Sequence, residues 1–335
     1  MHRWSANFYL VLILLVAAAF GGALFGVTDG FQIKNQAKPT VAIASPQNTA
    51  NLLFVGDIML SRNIGKKAEA KGDYTYPFEL MNDYLKSFDL TFANLENPVS
   101  DQGTKVGSIY SFRADPKMLA GLTGAGFDIV NLANNHIWDY GRKALNDTFD
   151  QLDKVGISYV GAGKNYEAAH QAKVFQAGET KIAYLGYTNL IPASVATQDS
   201  KPAVAFIDTS VIAEDITKAK TQGADLVIVT FHWGEEYHTA HSAFQEKVAH
   251  AVIDAGADLI VGHHPHVPED LEEYNGKWIA YSLGNFVFDQ NFSEDTRHGQ
   301  ILEVSIKDKA IASVVPRQIS FNEDFQPSLD ETQGL

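Results

Sequence analysis

In Ala257-Asp-Leu-Ile-Val-Gly-His-His-Pro-His-Val267 a short apolar run, Asp258 to Val261, reads as a buried strand that breaks through Gly262 into His263, His264 and His266. A stable loop has no need of so many imidazoles. Neutral imidazole is a good ligand for divalent transition ions, and the His-x-His spacing of His264 and His266 lets two rings reach one small volume from a single turn. Taken alone, the stretch also admits a histidine-rich surface loop, so the other strand ends decide between the two.

Working outward, four further strand candidates end in the same manner. Leu52 to Val55 runs into Gly56-Asp57-Ile-Met-Leu-Ser-Arg62, and Leu90 to Ala93 into Asn94-Leu-Glu96-Asn97-Pro98. Asp128 to Ala133 opens into Asn134-Asn135-His136-Ile-Trp-Asp139, and Asp225 to Phe231 delivers His232-Trp233-Gly234-Glu235-Glu236. Asp57 can ligate a metal, although Asp after Gly is also ordinary turn chemistry. Glu96 can bind or bridge metal, whereas Asn94 and Asn97 read equally as turn-formers before Pro98. Arg62 is a candidate clamp for phosphate or carboxylate, its alternative being a solvated surface arginine. His232 is placed like a ligand, with a satisfied core histidine as the alternative. Ser282 and Asn285 can support ligands from behind, and His263 reads as a packing or supporting residue.

In an α/β sheet, strand ends of this kind are expected to converge on one edge. Mixed oxygen and imidazole donors suit one or two divalent transition ions, Mn, Zn or Fe. A pair held roughly 3.5–4 Å apart activates water and stabilises the charge of a displacement at phosphorus. His136 is the imidazole left to act as general acid, and the candidate catalytic set is His136, Asp139 and Arg62. Serine-nucleophile, dinucleotide and phosphate-loop chemistry is excluded by the lack of Gly-x-Ser-x-Gly, Gly-x-Gly-x-x-Gly and a Gly-Lys-Ser/Thr loop.

At 335 residues the chain is long enough for a large α/β domain, and its formal net charge of −14 argues against nucleic-acid binding and against diffuse attraction to polyanions. With no cysteine, disulfides and thiolate metal sites are excluded. Phe8 to Val27 is a charge-free apolar run behind Arg3, the length of a membrane span; residues 1–27 are therefore expected to be a single anchor with the remainder extracytoplasmic. A cleaved signal peptide is the alternative. Residues 28–51, with Pro39 and Pro46, read as a flexible linker, residues 52–320 as one α/β domain, and residues 321–335 as an acidic tail that frays. Arg142 to Val155 and Thr239 to Ala255 are predicted amphipathic helices, with shorter ones at Pro77 to Lys86 and Pro116 to Leu122. A final hairpin is expected over Ile301 to Ile306 and Ile311 to Val315. His170, His238, His241 and His250 are expected to be solvated.

Gly56-Asp-Ile-Met-Leu-Ser-Arg62, Asn94-Leu-Glu96, Asn134-Asn-His136 with Asp139 and Gly141, His232-Trp-Gly234, Gly262-His-His-Pro-His266 and Tyr281-Ser-Leu-Gly-Asn-Phe286 together resemble the ordered motifs of the CapA-type poly-γ-glutamate capsule biosynthesis proteins, relatives of calcineurin-like metallophosphatases. The resemblance covers roughly residues 52–290. It implies a four-layer α/β/β/α sandwich carrying a metal centre, behind one N-terminal transmembrane helix, in a protein of polyglutamate synthesis or export. By motif, Asp57, Glu96, Asn135, His232, His264 and His266 become the metal ligands and His136 the acid. It implies an anionic polymer or phosphoester substrate and, as partners, other membrane subunits of a synthesis complex. Where the phosphatase pattern has Asp-x-His this chain has Asp57-Ile-Met59, and Glu96 stands where a bridging aspartate is expected. A noncatalytic polymer- or partner-binding subunit is the rival reading.

Overall fold

The computed structural model describes residues 48–106, 109–192 and 200–330, all within one folded unit, Pro46–Leu335. Four strands come first, β1 (Thr49–Ile58), β2 (Leu90–Leu95), β3 (Ile129–Asn131) and β4 (Ser158–Val160), each parallel to the next. A minor pair follows, β5 (Ala162–Gly163) with the later β8 (Ala203–Val204). Between them β6 (Lys173–Ala177) and β7 (Thr180–Thr188) open a second large sheet, which β9 (Leu226–His232) and β10 (Leu259–His263) extend in parallel. A hairpin of β11 (Leu271–Tyr274) and β12 (Lys277–Ala280) completes it. The chain then returns to the first sheet with β13 (Asn285–Val287), β14 (His298–Lys307), β15 (Ala310–Phe321) and β16 (Pro327–Leu329). Among the described residues the orders are β16-β15-β14-β1-β2-β3-β4, with β13 also on β1, and β11-β12-β10-β9-β7-β6.

The central strands are apolar at almost every position because both of their faces are buried, as parallel sheets require. Side chains alternate across a strand, so Leu53 and Val55 of β1 point one way and Leu52 and Phe54 the other. The first pair packs on Ile64, Leu119, Leu122, Leu145 and Phe149, from the helices Arg62–Lys71, Leu119–Ala125 and Gly141–Val155. The second pair meets Tyr184, Ile228 and Val261 of the facing sheet. Beyond that sheet, Val227, Val229 and Ile260 pack on Ile212, Ile216, Val248 and Val252 of the helices Thr209–Thr221 and Ala243–Asp254. The result is helices, sheet, sheet and helices in four layers.

Two glycines let neighbouring segments of each sheet pack closely beside the site. A Cβ on Gly56 would lie 2.0 Å from the Gly284 carbonyl oxygen, and one on Gly262 would lie 1.9 Å from that of Tyr281. Neither position admits a side chain.

The structure corrects several boundaries. The expected linker ends at residue 51, yet Thr49, Ala50 and Asn51 already belong to β1 and pair with β14. Their outward Thr and Asn alternate with a buried Ala, a short edge pattern easily taken for a spacer. The expected fraying tail is folded through Asp330: β16 pairs with β15, Phe325 and Gln326 are buried, and the Gln326 amide donates to the Tyr76 carbonyl at 2.7 Å. Its acidic charge is met by lysines far back in the chain, Lys67 and Lys71 on Asp324. Residues 331–335 and the predicted anchor at 1–27 lie outside the described residues. Among the described residues no helix is long and apolar enough to cross a membrane.

Among the described residues the helices Arg62–Lys71, Thr209–Thr221 and the single turn Tyr166–Ala169 go beyond those expected from the sequence. Arg62–Lys71 begins inside the motif that ends at Arg62, with Ile64 and Ala68 on one face. Thr209–Thr221 carries Ile212, Ile216 and Ala219 at helical spacing behind an Asp208 side-chain cap. The helix expected from residue 239 begins at Ala243 after a Ser242–Gln245 capping box, which leaves His238 and His241 in the preceding loop. The helix expected over 77–86 is a 3-10 turn, Tyr76–Phe78, and a single turn, Asn82–Leu85. His170, expected in solvent, is buried and bonded through Nδ1 to Asp215 at 2.9 Å, a partner 45 residues away.

Burial pushes the Glu269 carboxyl up to about 7, although the Gln245 amide donates to it at 2.7 Å. A carboxyl whose folded value lies above its unfolded one stabilises the fold below pH 4.5 and loses that contribution as pH rises to about 7. Glu269→Gln keeps an acceptor for Gln245 and removes the titration. Denaturant unfolding at several pH values is expected to show a variant that gains on wild type between pH 4.5 and 7, reaching on the order of 1 kcal/mol.

Candidate metal centre

The expected convergence occurs, but across two sheets. β1, β2 and β3 belong to the first sheet and β9 and β10 to the second, and their C-terminal ends face one another. Asp57 ends β1, Glu96 follows β2, Asn135 and His136 follow β3, His232 ends β9, and His264 and His266 follow β10. A single sheet edge could not surround an ion on both sides; two facing edges can.

Asp57, Glu96 and His232 have no exposure at all, and His264 and His266 almost none. Among the described residues three groups of ligand atoms each lie within 4.8 Å of one another: Glu96 with His232 and His264, Asp57 with Glu96 and His266, and Glu236 with His264 and His266. Asn135 joins the first through its side-chain oxygen, 2.8 Å from His232 Nε2. His264 and His266 both hold positive φ, at 102° and 62°, and this tight turn aims both rings inward.

The charges in this volume are strongly coupled. Burial alone would raise the Asp57 carboxyl, yet the adjacent His263 and His266 hold it well below the usual carboxylate range. Glu96 goes the opposite way, raised by burial and then by Asp57, Glu236 and Asp139. His232 is held well below the usual imidazole range by burial and the neighbouring His264, and burial with His266 takes His264 down to about 3. The two rings are therefore neutral and have lone pairs to offer.

Asn94 is the residue that sequence reasoning undervalues. Its pattern suggests a ligand or turn-former, but its Nδ2 reaches Asp57 Oδ1 at 2.8 Å, His232 Nδ1 at 3.2 Å and Glu96 Oε2 at 3.4 Å. Its oxygen accepts from Asn131 at 3.0 Å and Asn134 at 3.3 Å. His232 lies between two amides, its Nδ1 3.2 Å from Asn94 Nδ2 and its Nε2 2.8 Å from the Asn135 side-chain oxygen. Asn97 is the turn-former, its oxygen accepting from the Leu60 amide at 2.7 Å. Asn285 holds His266 through a 3.0 Å contact to Nδ1, and Ser282 donates to the Val267 carbonyl at 2.8 Å. His263 lies 3.5 Å from Asp57, in the supporting position expected of it.

His136 Nδ1 donates to Asp139 at 2.7 Å, so the opposite nitrogen, Nε2, faces Glu96 at 3.9 Å. Asp139 is fixed in turn by the Phe112 amide at 2.7 Å. Arg62 joins Asn135, His136, Glu236 and His266 around a cavity of about 490 Å³. It is not a free cation there: Asp289 lies 3.3 Å from its Nε, and its guanidinium covers the Phe112 ring. Glu236, one of the two carboxylates that the sequence places at the end of this strand, lies four residues past His232 beyond Gly234 at φ 88°. The sequence pattern does not tell it from Glu235.

The sequence profile described as "Bacterial capsule synthesis protein PGA_cap" matches residues 51–290. The chain belongs to this family. Among relatives, the Capsule biosynthesis protein CapA of Bacillus anthracis is 36% identical over 293 residues, covering 84% of this chain and 71% of that one. The PGA biosynthesis protein CapA of Bacillus subtilis is 37% identical over 257 residues, covering 76% and 67%. Among solved structures, the NAD nucleotidase of Haemophilus influenzae overlaps with a TM-score of 0.49 at 13% identity, covering 85% of this chain and 54% of that one. A hypothetical protein of Thermus thermophilus gives 0.48 at 16%, covering 80% and 98%.

In this capsule synthesis family member the donors fit a divalent cation on their own chemistry. Glu96 Oε1 and His264 Nδ1 are buried without a hydrogen-bond partner among the described residues. Buried polar atoms are rarely left so, and a cation bound between them would satisfy both.

Replacing Asn94 by Ala strips a shared donor from Asp57, His232 and Glu96. In metal-free unfolding experiments N94A is expected to lose about 2–3 kcal/mol, the cost of buried polar groups left unpaired. A loss below about 0.5 kcal/mol would show that Asn94 does not organise the centre.

Proposed function

We propose that this protein is a membrane-tethered, extracytoplasmic metal-dependent hydrolase of the phosphoester type, serving poly-γ-glutamate or a related envelope polymer. The observation that carries the hydrolase reading is the oriented His136–Asp139 pair, whose free Nε2 faces the unpaired oxygen of Glu96 beside an open cavity. The relatives named for capsule and PGA biosynthesis support the polymer context. The apolar run Phe8 to Val27 supports the anchor.

Asp57, Glu96, Asn135, His232, His264 and His266 would hold one or two ions of Mn, Zn or Fe. A bound divalent ion supplies a water of lowered pKa and stabilises charge that develops at phosphorus. Asp139 fixes the His136 ring with a proton on Nδ1, so Nε2 is the atom that carries a proton to a leaving group. The Phe112 ring, its centroid 4.0 Å from that of His136, shields the imidazole from water. Arg62, balanced by Asp289, lines the cavity wall, where it meets an anionic substrate group without a large excess of positive charge.

A noncatalytic, polymer- or partner-binding role within a complex of membrane subunits is the second reading. Met59 favours it: the residue two past Asp57 is buried, its sulfur takes the Ser61 hydroxyl at 3.0 Å, and the Asp57 side of the centre has one nitrogen donor fewer than an imidazole there would give.

The two readings separate on the full chain in detergent, supplied with Mn or Zn and chromogenic phosphoesters. Turnover by wild type is expected, with His136→Ala lowering kcat about 10²- to 10⁴-fold while bound metal is unchanged. No turnover by wild type, together with polymer formation that survives Asp57→Ala and His136→Ala but not deletion of residues 8–27, would establish the noncatalytic role.

A further inference from the structure

Of the donors, Asp57, Glu96, His232 and His264 do not line the cavity. Glu236, His266, Asn135 and His136 do, while Asp57, Glu96 and His232 lie behind them with no exposure. A cation bound for the inner donors therefore passes the mouth first. Glu236 and His266 line that mouth and His264 lies just behind, and the three offer ligand atoms within 4.8 Å of one another, the carboxylate exposed and the two imidazoles buried. Backbone holds the carboxylate in place: the Tyr237 amide donates to the Pro265 carbonyl at 2.8 Å, tying the segment after β9 to the turn after β10. His264 adds a buried Nδ1 with no hydrogen-bond partner among the described residues.

The same two imidazoles also belong to the inner groups, His264 with Glu96 and His232, and His266 with Asp57 and Glu96. A neutral imidazole has one ring lone pair to give, so each ring serves the outer position or an inner one at any moment. The outer group is thus a stage on a path and not a further permanent site.

We propose that Glu236, with His264 and His266, forms an entry position that captures a divalent transition ion at the cavity mouth and passes it to the buried donors. One oxygen and two imidazole nitrogens suit Zn or Mn. The proposal rests on the metal-centre reading above and concerns how that centre is loaded.

Metal-free full-length protein in detergent is mixed with Zn2+ in a stopped-flow instrument, with uptake read by a fluorescent zinc indicator and final content by elemental analysis. Glu236→Gln is expected to slow uptake about tenfold, the lower end of what a focused charge gives an association rate, and to reach the wild-type stoichiometry. Glu235→Gln removes the neighbouring charge, which pairs with His238 at 3.6 Å, and is expected to keep wild-type rates. Equal rates in E236Q and wild type would overturn the proposal. So would a reduced final stoichiometry at unchanged rate, which would make Glu236 a permanent ligand. Wild type that takes up no zinc would instead overturn the metal centre itself. Glu236 is exposed, and Glu236→Asp, with the charge on a shorter arm, supplies a second folded variant with an intermediate rate expected.

Discussion

Two carboxylates, Asp57 and Glu96, are buried without exposure in one small volume where two sheets meet. In a low-dielectric interior, two such charges cannot both be carried without compensation, and the surroundings answer that constraint. His263 and His266 keep Asp57 ionised, Asn94 donates to both acids, and Glu96 is left holding its proton more tightly than a free carboxyl would. A divalent cation would resolve the same conflict more completely, and the unpaired atoms point to one.

That arrangement runs against stability and has to be held by the rest of the fold. A core of alternating apolar side chains on both faces of β1, β2, β9 and β10 brings the strand ends together, and the site occupies only their last residues. The backbone there is unlike the scaffold. Arg62, Tyr237, His264 and His266 all have positive φ, and Gly56 and Gly262 touch carbonyls of the opposing chain segment. Among the described residues four other non-glycine positions, Asn275, Asp308, Lys309 and Phe325, also hold positive φ, all of them in turns away from the site; strained backbone at a functional site is usual.

Function follows from which groups are paired and which are left open. His136 is tied to Asp139 at one nitrogen and open at the other. Arg62 is tied to Asp289, so the cavity offers a moderated cation rather than a basic patch, in keeping with a chain of net charge −14. Glu236 stands at the mouth, where its charge is cheap to keep in water and still within reach of two imidazoles.

Much of this was legible in the sequence for a local reason. An apolar run that stops at a carboxylate or imidazole records where a buried strand meets a polar volume, and Asp57, Glu96, His136, His232, His264 and His266 each announce themselves in that way. Helix stripes such as Leu145, Phe149 and Leu152 are equally local. Three-dimensional folding alone decided the rest. Asn94 looks like a turn residue until Asp57, 37 residues before it, and His232, 138 residues after it, are placed on its amide. The acidic tail looks unstructured until Lys67 and Lys71 neutralise Asp324, and His170 looks solvated until Asp215 covers it. The sequence determined which strands end in chemistry, because periodicity and polarity change within a few residues. Only the tertiary structure decided that those ends come from two facing sheets and which donors are paired, because hydrogen bonds and ion pairs between distant segments leave no mark on local pattern.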